Sequence, residues 1–362
     1  MKLVLLITGG RGGSDFFHGL LDNHDQILQF PGILRVNKNF YDIFRGEAED
    51  IAKKFIDNFS IFFDSRKNLV ERHNKLGKDR NKFYTVNKKK FIYYFKKKYK
   101  KTDTKKTVLI NLHKSYYLSR GKNVKNAKIL FLHTHTVEFT KNFSSFFKTK
   151  EFDIIHTMRR PINSLHSPIK NWLNYRNGGV FFPKNLYFQL DLTFKGLQNL
   201  NNLTTKKVYV VLLENLIKNK SKVMKEFSKI YKINFKTSLL NCTFFGLQWW
   251  GDQISNRWIG KKVKADDQNI DRFFFEADLK YINSITQNIE NHFFSTNKKV
   301  KSYLSILPLK SEILVWKNTL KHKKFLHILS IPFYYFKRIL FLNSYLIKYD
   351  KFPKTIGGKN TF

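Results

Sequence analysis

The chain has little of three things on which many proteins rely. Cysteine occurs once in 362 residues, as Cys242, which excludes a disulfide framework within the chain and fits a reducing compartment. Long apolar runs are missing as well: no stretch reaches the roughly 20 residues that a membrane-spanning helix needs. The first apolar run, Leu3 to Ile7, is shorter than the core of a signal peptide, so no secretory leader is expected, and the expected location is the cytoplasm. Acidic residues are scarce, 27 Asp and Glu against 67 Lys and Arg, for a net charge of +40. Such a charge invites nucleic acid. No helix-turn-helix, zinc-finger or RNA-recognition signature accompanies it, so nucleic acid is not expected as the main partner. Much of the excess is lysine mixed with Asn, Phe and Ile, a bias that an AT-rich bacterial genome produces without selection for a ligand.

What is present begins at the N-terminus. Leu3 to Ile7 reads as a buried strand that drops into Thr8-Gly9-Gly10-Arg11-Gly12-Gly13-Ser14 and then a helix-like segment, Phe16 to Asn23. Strand, glycine turn and helix start are the parts of a phosphate cradle, because unpaired backbone N–H groups converge there and the helix dipole favours an anion. The loop has no Lys-Ser or Lys-Thr pair and no G-x-G-x-x-G spacing, which disfavours an ordinary NTPase, a nucleotide-dependent kinase and a dinucleotide dehydrogenase. Arg11 puts a permanent cation in the loop, and Ser14 offers a hydroxyl in position to cap the helix.

A second element lies at residues 151 to 171. A short apolar strand ends in Arg159-Arg160-Pro161, and Ser167 stands eight positions after Arg159. With this spacing the chain resembles the sulfotransferase family, whose second nucleotide-binding element has Arg, Pro two residues later and Ser at the eighth. The first loop is similar to the same family's R-S-G-T-T pattern, with Arg11, Gly13 and Ser14 in register. The resemblance covers about residues 1 to 265. It implies that the first loop, Gly10 to Phe16 with Asp15 inside it, grips the 5′-phosphosulfate of 3′-phosphoadenosine-5′-phosphosulfate (PAPS), and that Arg159 and Ser167 hold the 3′-phosphate. Gly12 stands where the family usually has Ser, and Asp15 where it usually has Thr. One hydroxyl donor is thereby lost and a carboxylate gained, which would repel a dianion unless Asp15 turns away to cap the helix.

Between the two elements, Ile129-Leu130-Phe131-Leu132 reads as a strand followed by His133-Thr134-His135-Thr136. Cytosolic sulfotransferases carry K-T-H here with the histidine as general base, and the match implies that role for His135, with His133 in place of the lysine. Transfer to a hydroxyl needs a base, and histidine titrates near the working pH. Glutamate takes this role in several glycan-modifying members, which leaves Glu47 and Glu138 as alternatives. A zinc site is disfavoured, since His133 and His135 supply two ligands and one cysteine completes no cluster; no metal is expected. Val208 to Leu216 echoes a strand ending in Y-E-D-L, with Leu213 for the tyrosine and Glu214 read as an anchor of the loop. Trp249-Trp250-Gly251-Asp252 and Arg257-Trp258 form either a loop closing over the nucleotide, with Arg257 on a phosphate, or ordinary core packing.

Two segments remain. Lys88 to Lys106 interleaves lysine with Phe91-Ile92-Tyr93-Tyr94-Phe95, which if helical gives a solvated basic face or a contact for an anionic membrane or acidic glycan. Phe325 to Ile347 is apolar but broken by Pro332 and Lys337-Arg338, so a pair of amphipathic helices is expected there, covering the core, another subunit or a membrane surface. The expected architecture is α/β: a central parallel sheet flanked by helices, P-loop-like, over residues 1 to 300, with a basic, aromatic-rich α-helical extension over 301 to 362. The expected function is sulfuryl transfer from PAPS to a hydroxyl acceptor, a glycan or glycolipid. The alternative is a non-catalytic basic scaffold on an anionic glycan or membrane surface.

Overall fold

A computed structural model describes residues 1–9, 11–174, 182–188, 207–252, 270–295, 307–322, 325–343 and 353–358. The strands are β1 (Lys2–Thr8), β2 (Ile27–Leu28), β3 (Ile129–His135), β4 (Asp153–Met158), β5 (Lys207–Leu212), the short pair β6 (Thr243–Phe244) and β7 (Leu247–Gln248), and β8 (Lys354–Ile356). The helices are α1 (Ser14–Leu20), α2 (Lys38–Ile43), α3 (Ala48–Asn58), α4 (Ser60–Phe63), α5 (Lys88–Lys98), α6 (Lys105–Ser119), α7 (Val137–Phe147) and α8 (Pro161–Asn174). They are followed by α9 (Leu213–Lys218), α10 (Lys220–Tyr231), α11 (Glu276–Phe294), α12 (Lys310–Lys321) and α13 (Phe325–Asn343).

Six strands form one parallel sheet in the order β2-β3-β1-β4-β5-β8. The continuous apolar run of β1 suits its central position, because a parallel strand is covered on both faces. Leu3, Leu5 and Ile7 enter one core with Phe55, Phe62, Phe91 and Tyr116, while Val4 and Leu6 enter the other with Phe17, Leu20, Phe227 and Tyr231. That alternation is the two-residue period of a strand. From β1 the chain runs to β2 and β3 on one side, then to β4, β5 and β8 on the other. The C-terminal end of β1 is therefore the switch point at which open α/β sheets bind ligands.

Caps fix where the loops end. Thr136 accepts the Phe139 N–H at 3.2 Å and starts α7 directly after β3, and Pro161, whose fixed φ suits the first helical turn, opens α8 after β4. The basic segment folds as α5, with Phe91 and Phe95 buried in the core and Lys88, Lys89, Lys90, Lys96 and Lys97 exposed. Its lysines thus form the exposed face of a core-packed helix, and Lys96 pairs with Glu49 of α3 at 2.9 Å.

The pair of helices expected over Phe325 to Ile347 is corrected: α13 runs through Pro332 as one helix, and the extension's other helix, α12, precedes that segment. The extension also returns to the sheet: β8, just after Pro353, pairs with β5 from Tyr209↔Lys354 to Val211↔Ile356. Leu309 and Val315 share a core with Ile282, Ile285 and Phe293 of α11.

Candidate active site

The glycine loop lies flat on the ends of β1 and β4. Thr8 Oγ1 donates to the Thr157 carbonyl at 3.2 Å and Thr157 Oγ1 to the Ile7 carbonyl at 3.3 Å, a reciprocal pair that ties the two strands. Gly12 rests on that pair: a Cβ there would lie 2.4 Å from Thr157 O and 2.7 Å from Thr8 Oγ1. The serine usual at this position in the resembled pattern has no room on this backbone. Gly13 adopts φ +84°, and a Cβ on it would meet Leu213 Cδ1 at 2.5 Å. Leu213 thus packs beneath the loop, where the echoed motif has tyrosine.

Gly13, in the left-handed region, is the N-cap of α1, and Ser14 is a buried first helical residue. The expectation that Ser14 caps the helix is corrected: the positive φ of Gly13 makes the start, not a side-chain bond. Phe16 is half-buried, and its carbonyl faces Cys242 Sγ at 3.6 Å. Gly10, Arg257 and Trp258 lie outside the described residues.

Arg11 is held in the left-handed region, φ 47°, and its Nη1 pairs with Asp252 Oδ2 at 3.0 Å. A small hairpin delivers Asp252. Phe245 and Gly246, both at positive φ, make the two-residue turn between β6 and β7 that such a backbone favours. Buried Asp22 fastens it by accepting from Thr243 Oγ1 at 2.9 Å and the Gly246 N–H at 2.7 Å. Beyond β7, Trp249 Nε1 donates to the Glu71 carbonyl and Trp250 Nε1 to the Gly77 carbonyl, both at 2.6 Å. Trp249 is buried against Phe244, and Arg80 covers Trp250 at 4.7 Å. Trp249 thus packs in the core, and Trp250 is half-buried beneath Arg80.

Asp15 does not turn away from the loop. Its Oδ1 lies 3.6 Å from His133 Nδ1. Burial pushes its carboxyl well above the usual range, assisted by repulsion from Glu71 and Asp252 and opposed by Arg11. Glu71 is pushed up to about 7 by burial, with Asp252 adding and the Asn68 hydrogen bond and Arg35 subtracting. Burial thus favours the neutral form of the acid, which weakens the repulsion expected of a carboxylate at position 15.

His135 ends β3. A register shift between Leu6 and Ile7 of β1 leaves Thr134 bulged, its hydroxyl bonded to Thr140 Oγ1 at 2.9 Å, and His135 takes φ 67°. His135 Nδ1 lies 3.2 Å from His133 Nε2, so Asp15, His133 and His135 form a line. With His135 as the Nδ1–H tautomer, donating to His133, its Nε2 lone pair is free to take a proton. Burial, with Arg11 and Arg35 acting in the same direction, lowers His135 to about 4. The imidazole is therefore neutral at ordinary pH. His18 and His73 add two more buried imidazoles, each lowered to about 3 by burial, with His18 edge-on to His133 at 5.2 Å.

Arg159 follows β4 at the same edge of the sheet. Its neighbour Arg160 is structural: its N–H donates to Glu214 Oε1 at 3.0 Å and its Nε to Glu290 Oε2 at 3.0 Å. Glu214, raised by burial, is the loop anchor the sequence suggests. Ser167 lies half-buried on α8 before Pro168. Glu47 is exposed and paired with Lys101 at 2.8 Å, and Glu138 is exposed in the first turn of α7. Neither shares the electrostatic setting of the loop, whereas Glu71 does. No motif marks Glu71, and Arg35 is an isolated cation in the sequence; Asp252 carried a signal only as the end of Trp249-Trp250-Gly251-Asp252. Among the described residues, no group of three or more His, Cys, Asp or Glu is arranged to hold a metal ion.

No protein-family model matches the chain, and no curated protein matches it. Among solved structures, it is similar to the sulfotransferase domain from the Synechococcus PCC 7002 olefin synthase. The identity is 12%, with 87% of this chain and 92% of that one covered and a TM-score of 0.40.

Proposed function

We propose that the chain is a sulfotransferase that moves the sulfuryl group of PAPS to a hydroxyl of a glycan or glycolipid. The observation that carries this reading is the edge of the sheet itself. His135, the glycine loop, Arg159 and Glu214 follow the ends of four neighbouring strands, β3, β1, β4 and β5, with the loop between the candidate base and the candidate phosphate cation. In the reaction the acceptor oxygen bonds to sulfur as the bond from sulfur to the bridging oxygen breaks. The acceptor proton passes to His135 Nε2, and Arg11 steadies the charge gathering on the departing oxygen. Arg159 and Ser167 hold the 3′-phosphate so that the sulfur faces the acceptor.

The Arg11–Asp252 pair at 3.0 Å favours a second reading, a non-catalytic scaffold whose loop cation is already neutralised. On the first reading, donor phosphate takes the place of Asp252 beside Arg11. Turnover separates the two. Labelled PAPS should sulfate members of a glycan and glycolipid panel, and Arg11→Ala should lower kcat by about 10²- to 10³-fold, more than it weakens donor binding. An unchanged kcat excludes Arg11 from the transition state, and no transfer with no nucleotide binding favours the scaffold.

A further inference from the structure

Helix α13 is built inside out. Its inner side is fastened by polar and aromatic contacts: Arg338, almost fully buried, donates to both Glu312 carboxylate oxygens at 3.0 and 2.9 Å. Tyr335 meets Trp316 at 5.6 Å between ring centroids, and His327 stacks on Phe182 at 3.7 Å. Its outer side is apolar. Leu326, Leu329, Phe333, Phe336 and Leu340 recur every three or four residues and are between 56% and 79% exposed. Scattered exposed apolar residues need no explanation, but a continuous stripe along a whole helix marks an interaction surface.

Charge narrows the occupant. Between Glu312 and Asp350 the sequence contains no acidic residue, yet it carries Lys317, Lys321, Lys323, Lys324, Lys337, Lys348 and Arg338. A second copy of this chain would bring two such acid-free segments together on molecules of net charge +40, with no carboxylate in either segment to pair across the seam. An anionic lipid surface answers both features, since it accepts the apolar stripe below the headgroups and pairs with Lys337, exposed on the same helix between Phe336 and Leu340. Among the described residues no helix is long and apolar enough to cross a membrane, so α13 would lie in the plane of the interface.

We propose that α13 docks the protein on an anionic bilayer through Leu326, Leu329, Phe333, Phe336 and Leu340. This holds whether or not the chain transfers sulfuryl groups. The test uses the full chain and vesicles of phosphatidylcholine, alone or doped with phosphatidylglycerol, in co-sedimentation. Wild type should bind the doped vesicles, and Leu329→Glu/Phe333→Glu/Phe336→Glu should bind at least about a hundredfold more weakly with every lysine intact. Wild type that stays in the supernatant, or a triple variant that binds as well as wild type, overturns the proposal. So does a wild-type dimer in sedimentation equilibrium that the triple variant dissociates, which gives the stripe to a second copy. A label separates docking from a folding defect. Cys242 is half-buried with its thiol pushed up by burial, so bimane on Leu340→Cys reports the stripe. Its emission should shift to the blue on doped vesicles, and unchanged emission contradicts docking.

Discussion

At the scale of single residues, the site is governed by burial acting on acids and imidazoles in opposite directions. Burial raises Asp15 and Glu71, which keeps negative charge away from the loop, and lowers His135, which keeps its lone pair free. The pH dependence follows with its sign. Below about 7 Glu71 is neutral and does not oppose a bound dianion; above that value it ionises and does. His135, lowered to about 4, stays unprotonated throughout. Hence kcat/KM for the donor should rise as pH falls from about 8 to 6, with no loss near the ordinary histidine value of about 6.5. A fall with a midpoint near 6.5 would contradict this assignment. His135→Ala should lower kcat by at least about a hundredfold and leave binding of adenosine 3′,5′-bisphosphate intact; an active variant would move the base to Glu71.

At the scale of elements, the glycine loop and its supports are fitted to one another. Restoring the serine usual in the resembled family should harm this protein, because Gly12→Ser drives a Cβ against the Thr157 carbonyl and the Thr8 hydroxyl. We expect a loss of about 1–3 kcal/mol in urea unfolding together with weaker nucleotide binding. A variant as stable as wild type would mean that the loop does not rest on the threonine pair. The strand, loop and helix starting at Leu3 were legible because a buried parallel strand leaves a solid apolar run and its turn needs glycine. Arg159 and Glu214 were legible because each follows an apolar strand. The β6–β7 hairpin was not: its strands are two residues each, too short for a period. Asp252 therefore reaches Arg11 through tertiary contacts to Asp22 and Glu71 that no local pattern encodes. β8 was missed for the same reason, as a three-residue edge strand behind a proline.

At the scale of the whole molecule, seven of the described histidines, His18, His24, His73, His113, His133, His135 and His156, have values lowered chiefly by burial. The unfolded chain protonates them near 6.5, and the folded chain only at lower pH. The stability they contribute is complete above about 6.5 and is lost as pH falls toward the folded values. Unfolding at about pH 5 takes up protons through these groups and releases them from the acids that burial raises, Asp15, Asp22, Glu71, Glu214, Glu290 and Glu312, so the imidazoles are followed individually by NMR titration of the folded protein. Imidazole resonances that titrate near about 6.5 in the folded protein would mean that the imidazoles are not buried neutral. The central claim concerns the edge where β3, β1, β4 and β5 end, and calorimetry with adenosine 3′,5′-bisphosphate tests it most directly. The account predicts binding that nucleoside triphosphates do not match. It also predicts a loss of about ten- to a hundredfold on Arg159→Ala, with adenosine 5′-phosphosulfate, which has no 3′-phosphate, bound equally by wild type and variant. No heat from the bisphosphate, or an equal loss for both nucleotides, would contradict it.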